Sequence, residues 1–373
     1  MSIKRGEVVN LDVEEAFHQL YSQLQMPDMA GVVFFASAHY APEDVAAQAQ
    51  KVFSCPYIGC STAGEIGSTY QQGGIVGVGF STKAFRFHTL FVEDLSDFGI
   101  EDAVRLELEM PKISTRTFGM PARRLLFSLV DGLSGMEEQF LAAMHGVLEN
   151  IPVVGGSAGD GLKFSRTSVY SNKGWGSNAA VIAVIDTTQH FQTFQFNHIQ
   201  ASSTDMVITA ADSKTRTVYE IDGGRAVDEY CAMTGASSED IGPEIFSRHP
   251  LVLEIGNQSY VRAVQKANDD GSLTFFCAIE EGLPLSLGDS QDIVKALRGE
   301  IDKLKSHFKN VSLTLGCDCI LRRLEIEANM RQLEVEEILR EINFIGFSTY
   351  GEHIGAVHIS QTMTGVIFGD EYR

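Results

Sequence analysis

Three stretches of the chain repeat one pattern: Tyr57 to Glu65 (YIGCSTAGE), Val153 to Asp160 (VVGGSAGD) and Phe344 to Glu352 (FIGFSTYGE). Each enters on apolar residues, bends through glycine and small side chains, and closes on Gly followed by a carboxylate. A pattern used three times commits the fold to one architectural unit repeated. Upstream of each turn lies an apolar strand (VVFFASA, RLLFSLV, VSLTLGC) and then a helical stretch, the third of which reads as one long helix from Leu321 to Ile342. Downstream lies another strand-length apolar run: IVGVGF, NAAVIAVI or MTGVIFG. The unit is therefore strand, helix, strand, turn and an added hairpin strand.

Strand–helix–strand units with buried apolar strands predict an α/β fold whose sheet is mainly parallel, with the crossovers right-handed. Between the second and third units the text changes character. TVYEIDGGRAVDEY and PLVLEIGNQSYVRAVQKANDDGSLTFF read as a helix with antiparallel strands around the turn signals Gly256-Asn257 and Asp269-Asp270-Gly271. The expected domains are 25–222, holding two repeats, and 223–373, holding an antiparallel β-rich portion and the third repeat.

Forty-nine acidic against 29 basic residues give a formal net charge of -20. That balance repels phosphate backbones and anionic lipids, and no Lys/Arg run counters it, so neither nucleic acid nor a membrane surface is an expected partner. The amino terminus lacks a signal-like apolar run, and six scattered cysteines do not form a secreted disulfide framework, which together predict a cytoplasmic protein. Cys60 sits in the first turn, but the matching positions are read as Gly156 and Phe347, so the turn does not require a thiol. Cys317 and Cys319 lack the further ligands a zinc site needs. No enzymatic activity is expected.

GCSTAGE, GFSTYGE, YEIDGGRAVDEY and QTMTGVIFG, in that order, resemble the FIST family of bacterial sensory proteins over about residues 30 to 368. The family resemblance implies a sensor of small ligands. FQTFQFNHIQ and FSRHPLVLEIGNQSYVR are similar to its nitric-oxide-sensing NosP branch, which implies haem b as cofactor, nitric oxide as ligand and a histidine kinase as partner. On that reading His198 is the axial iron ligand and His249 the alternative. Phe194 and Phe196 share the strand face of His198 and would wall the macrocycle, while Arg248 and Arg262 would meet the propionates. The plainer reading of His198 is a core histidine bonded to neighbours.

The competing functional reading is a haem-free module that binds a small, amino-acid-like metabolite at the glycine turns and one of the recurring carboxylates Glu65, Asp160 and Glu352. Those carboxylates could equally cap backbone amides. His39, at the end of the first strand, stands where α/β sheets present ligand contacts; His353 and His358 are expected to be structural or exposed. The long helix could offer its acidic side to a kinase or to a second subunit in a homodimer.

Overall fold

The computed structural model describes residues 2–9, 12–112, 116–117, 119–255 and 258–371. The Gly256-Asn257 turn lies outside these residues, although Leu251–Ile255 and Gln258–Arg262 pair as antiparallel strands.

Each repeat folds as its sequence reads. Met29–Ser37 pairs in parallel with Tyr57–Thr62, Arg123–Val130 with Val153–Ser157, and Phe308–Cys319 with Phe344–Thr349, each through intervening helix. The return strands Gly74–Ser81, Ala180–Thr187 and Thr362–Glu371 come back on the other side of the first strand of their unit, antiparallel to it. Just before each return strand the chain bends through the left-handed region, at Gly73 (φ 87°), Asn178 (φ 50°) and Gln361 (φ 51°). Register sets Thr62, Ser157 and Thr349 opposite the ends of their first strands, which places Gly155, not Gly156, at the position of Cys60.

The expectation of a mainly parallel sheet is wrong: the sheets are mixed, with antiparallel pairs in the majority. The reason is an exchange between units. After each turn the chain leaves its own sheet and adds a short hairpin to another: Glu65–Ile66 joins Phe344–Thr349, Val169–Ser171 joins Tyr57–Thr62, and Glu352–Ile354 joins Val153–Ser157. The first two return strands likewise hand their successors on, so that Phe85–Val92 edges the second sheet and His190–Asn197 the third. Ile3–Val9 edges the first. Each of the three six-stranded sheets thus holds one parallel pair within antiparallel additions.

The inner faces of the three sheets share one core, in which Phe35, Cys60, Phe127, Val154, Leu315 and Phe347 all belong to a single buried cluster. Helices cover the outer faces, and the pattern of apolar residues explains which side they show. Val13–Leu24 buries Ala16, Phe17, Leu20 and Leu24 on the first sheet; Ile293–Lys305 buries Ile293, Leu297, Ile301 and Leu304 on the third. Asp292 caps the latter by accepting from the amides of Val294 and Lys295. The long helix expected from Leu321 to Ile342 is two, Ile320–Ala328 and Gln332–Glu341, because Met330 takes a left-handed conformation (φ 53°) that no helix accommodates.

Residues 199–290 form a separate eight-stranded antiparallel sheet with the helices Ala226–Thr234 and Pro243–Arg248, inserted between the edge strand His190–Asn197 and the helix Ile293–Lys305. Its residues Val252, Val261, Ala263 and Phe276 pack with Ala63, Leu321 and Tyr350, so the insertion sits against the turns of the repeats.

Candidate functional site

The three turns meet. Ala63 N donates to Ser348 O (3.0 Å) and Ser348 N to Gly64 O (2.7 Å); Ser157 N donates to Gly351 O (2.8 Å), and Gly159 N to Ser61 O (3.0 Å). First to third, third to second and second to first, the bonds close a ring that satisfies bent backbone otherwise costly to bury. Glycine is needed where side chains press in: at Gly64 (φ 142°) a Cβ would lie 1.8 Å from Arg323 Nη1.

The recurring carboxylates serve mainly as caps. Glu65 accepts from Gly74 N (3.1 Å) and Thr62 Oγ1 (2.5 Å), and Glu352 from Thr362 N (3.0 Å) and Oγ1 (2.6 Å), each holding the start of its return strand. Asp160 accepts from the amides of Phe164, Ser165 and Arg166 at 2.9, 2.7 and 3.0 Å and from the Tyr350 hydroxyl. The environments differ in consequence. Burial pushes the Glu65 carboxyl up to about 7 and also holds Glu352 well above the ordinary carboxylate range, whereas hydrogen bonds from Tyr350 and the loop amides outweigh desolvation and hold Asp160 below its ordinary value.

Between the first and second turns lies a cavity of about 170 Å³. Ser37 and His39 from the end of the first strand, Thr62, Gly64 and Glu65 from the first turn, Gln72, Asp160 and Lys163 supply its polar wall. His39 Nδ1 lies 2.9 Å from Ser37 Oγ. A cation, an imidazole and a carboxyl that titrates near neutrality thus face a small hollow at the carboxyl ends of parallel strands, the place where open α/β units bind ligands.

His198 lies elsewhere, fully enclosed. Its Nδ1 is 2.9 Å from Arg322 Nη1 and its Nε2 is 2.8 Å from Glu325 Oε2. A guanidinium only donates, so Nδ1 accepts and Nε2 carries the proton that goes to Glu325. Burial, reinforced by the Arg322 charge, depresses the imidazole pKa against the pull of Glu325 and keeps the ring neutral. The chain of contacts continues from Arg322 Nε to Asp318 (2.6 Å), from Tyr70 to Asp318 (3.1 Å) and from Ser290 to Glu325. Phe196 stacks on His198, but Phe194 and Phe196 face a packed cluster with Leu297, Ile338 and Phe344 from the covering helices and third sheet, not a slot.

His249 and Arg248 line a wide groove of about 870 Å³ between the insertion and the third unit, together with Asp289, Ser290, Asp292, Ile293, Glu325 and Arg331. Arg248 pairs with Glu244 at 3.0 Å, and Arg262 stands apart on its strand beside Cys277. His353 and His358 are buried, hydrogen-bonded to Ser128, Ser157 and Glu138. Cys60 is buried in the common core, where desolvation holds the thiol far above its ordinary pKa.

Sequence reasoning identified Glu65, Asp160 and His39 one by one but did not join them, and it missed Lys163 and Gln72. Lys163 follows the second turn closely, and that proximity is the signal that could have found it. Among the described residues no helix is long and apolar enough to cross a membrane.

A search among curated proteins returns no match. The profile of the FIST N domain matches residues 30–224, and that of the FIST C domain residues 226–354. The chain therefore belongs to the FIST family, whose domains serve in sensing and signal transduction.

Proposed function

We propose that this protein senses a small, amino-acid-like metabolite bound in the cavity between the first two turns. The carrying observation is the cavity itself: about 170 Å³ with Lys163, His39 and Glu65 on its walls. Drug-sized ligands need roughly 300–1,000 Å³, so the occupant is a small one. Lys163 and His39 suit a carboxylate; Glu65, with a pKa near neutrality, suits an amine and makes its binding pH-dependent. Asp160 already takes five donors and serves as scaffold.

Haem as cofactor, with nitric oxide as signal and a histidine kinase as recipient, is the second reading. Its axial ligand would be His249, whose ring lines the large groove and makes no hydrogen bond among the described residues. His198 does not fit the role, since Arg322 holds one nitrogen and Glu325 the proton of the other. The groove wall does not fit haem well either: among the described residues that line it Ile293 is the sole aliphatic side chain, whereas haem proteins shield the macrocycle with apolar surface.

Two measurements decide. A thermal-shift screen of amino acids and short amino-carboxylates is expected to raise the melting temperature with a subset of them, and Lys163→Ala or Glu65→Gln to abolish the shift. An absorption spectrum after hemin addition is expected to show free hemin only. A Soret band that moves with nitric oxide and vanishes in His249→Ala would sink the metabolite reading.

A further inference from the structure

The three repeats provide an internal control for surface function. Each first strand is preceded by one helix in the same topological place: Val13–Leu24, Ile100–Glu109 and Ile293–Lys305. In the first and third, the exposed positions are polar or glycine: Glu14, Glu15, His18, Gln19, Ser22 and Gln23 in one, Lys295, Gly299, Asp302 and Lys303 in the other. The second breaks the rule. While Ala103 and Leu106 are buried as expected, Ile100, Val104 and Leu108 are 53, 41 and 79 % exposed.

Spaced four apart, these residues form one continuous apolar stripe along the helix. Isolated exposed aliphatics need no explanation, but an aligned row on one copy of a thrice-used element does. The neighbouring helix Glu137–Val147 leaves room beside it, because Ala142 and Gly146 are its exposed residues there and Gly146 abuts Ile100. Exposed Glu101 and Glu107 flank the stripe. Arg105 offsets only part of that charge: it is shared between Asp102 at 2.9 Å and Glu101 at 3.9 Å, on a helix whose acids are Glu101, Asp102, Glu107 and Glu109.

We propose that this helix face is the docking surface for a partner's basic amphipathic helix, with aliphatic anchors lying along Ile100, Val104 and Leu108 and Lys or Arg meeting Glu101 and Glu107. Charge decides against a second copy of the chain: the stripe is fenced by acids, and the whole protein carries a formal net charge of -20, which opposes self-association. Helix-on-helix recognition of this type reads anchors at the same spacing on both sides. The inference does not depend on what fills the cavity, so a sensory family member would send its signal from the second unit whichever ligand it reads.

The test uses the full chain and a fluorescein-labelled amphipathic peptide of leucine and lysine, with the same peptide carrying glutamate for lysine as comparator. Fluorescence anisotropy is expected to show binding of the lysine peptide alone, and Val104→Ser with Leu108→Ser to weaken it about tenfold or more, as loss of buried aliphatic contact requires. Both substitutions are on the surface, and unchanged circular dichroism would confirm the fold. Equal binding to the double variant would reduce the effect to bulk charge and overturn the proposal, as would absence of binding. Sedimentation that shows a dimer of the unmodified protein and a monomer of the double variant would assign the stripe to a second copy instead, and overturn it too.

Discussion

Substituting His198 by alanine separates a structural histidine from a haem ligand by stability alone. The ring joins two buried charges, with Nδ1 accepting from Arg322 and Nε2–H donating to Glu325, and its side chain is fully enclosed. Arg322 already has Nη2 without a hydrogen-bond partner among the described residues. Removing the imidazole leaves a second guanidinium nitrogen and one Glu325 oxygen unsatisfied, together with a void. Breaking a buried charged network in this way costs about 3–5 kcal/mol, against a total stability of roughly 5–15 kcal/mol for a typical domain. Equilibrium denaturation of His198→Ala should therefore show a large fall in midpoint, while His249→Ala, on an open wall, stays within about 0.5 kcal/mol. The pH dependence has a definite sign. The folded pKa of His198 is depressed, so the unfolded chain takes up the proton first as pH falls through about 6.5, and stability is lost below that value. The variant's acid slope should be shallower than that of the unmodified protein. A His198→Ala protein within about 1 kcal/mol of the parent would refute the argument, and would mean that the enclosed network contributes nothing that the ring maintains.

Other substitutions test the remaining structure. Glu65 has its folded pKa raised to about 7, so it destabilises increasingly as pH rises from its unfolded value toward 7; Glu65→Gln should stabilise the apo-protein by about 1–3 kcal/mol at pH 8 and hardly at about pH 3.5, below the unfolded pKa, read by denaturant midpoint. Met330 is 90 % exposed and left-handed, so Met330→Gly should raise stability by about 0.5–1 kcal/mol, and a loss would show that the bend needs its side chain. The chain passes from sheet to sheet through short links between Ser81 and Phe85 and between Thr187 and His190; a circular permutant that joins Glu371 to Ile3 by a comparable link and opens the 82–84 bend should fold with native circular dichroism. Failure to fold would mean that the third passage is not equivalent to the other two.

Much of the architecture is legible in the sequence because it rests on local periodicity. The three strand–helix–strand units, the turns that end them and the return strands all stand where apolar runs and glycine bends place them. What is not legible is direction and company. A two-residue period says that IVGVGF is a strand; it does not say that the strand returns on the far side of VVFFASA or that the hairpin between them belongs to another unit. That is why a mainly parallel sheet was expected and a mixed one is found. Likewise a four-residue helical spacing runs through Met330, and only the backbone bend shows that two helices meet there.

The same division governs the sites. The sequence by itself determined that one unit is used three times, that its turns carry carboxylates and that the chain bears a formal net charge of -20. Tertiary structure decided that the turns close on one another, that two of them enclose a hollow with Lys163, and that His198 is locked between Arg322 and Glu325, more than a hundred residues away. The physical reason is that conformational preference and apolar periodicity act over a few neighbouring residues, whereas desolvation and charge pairing depend on whatever distant segment the fold brings alongside.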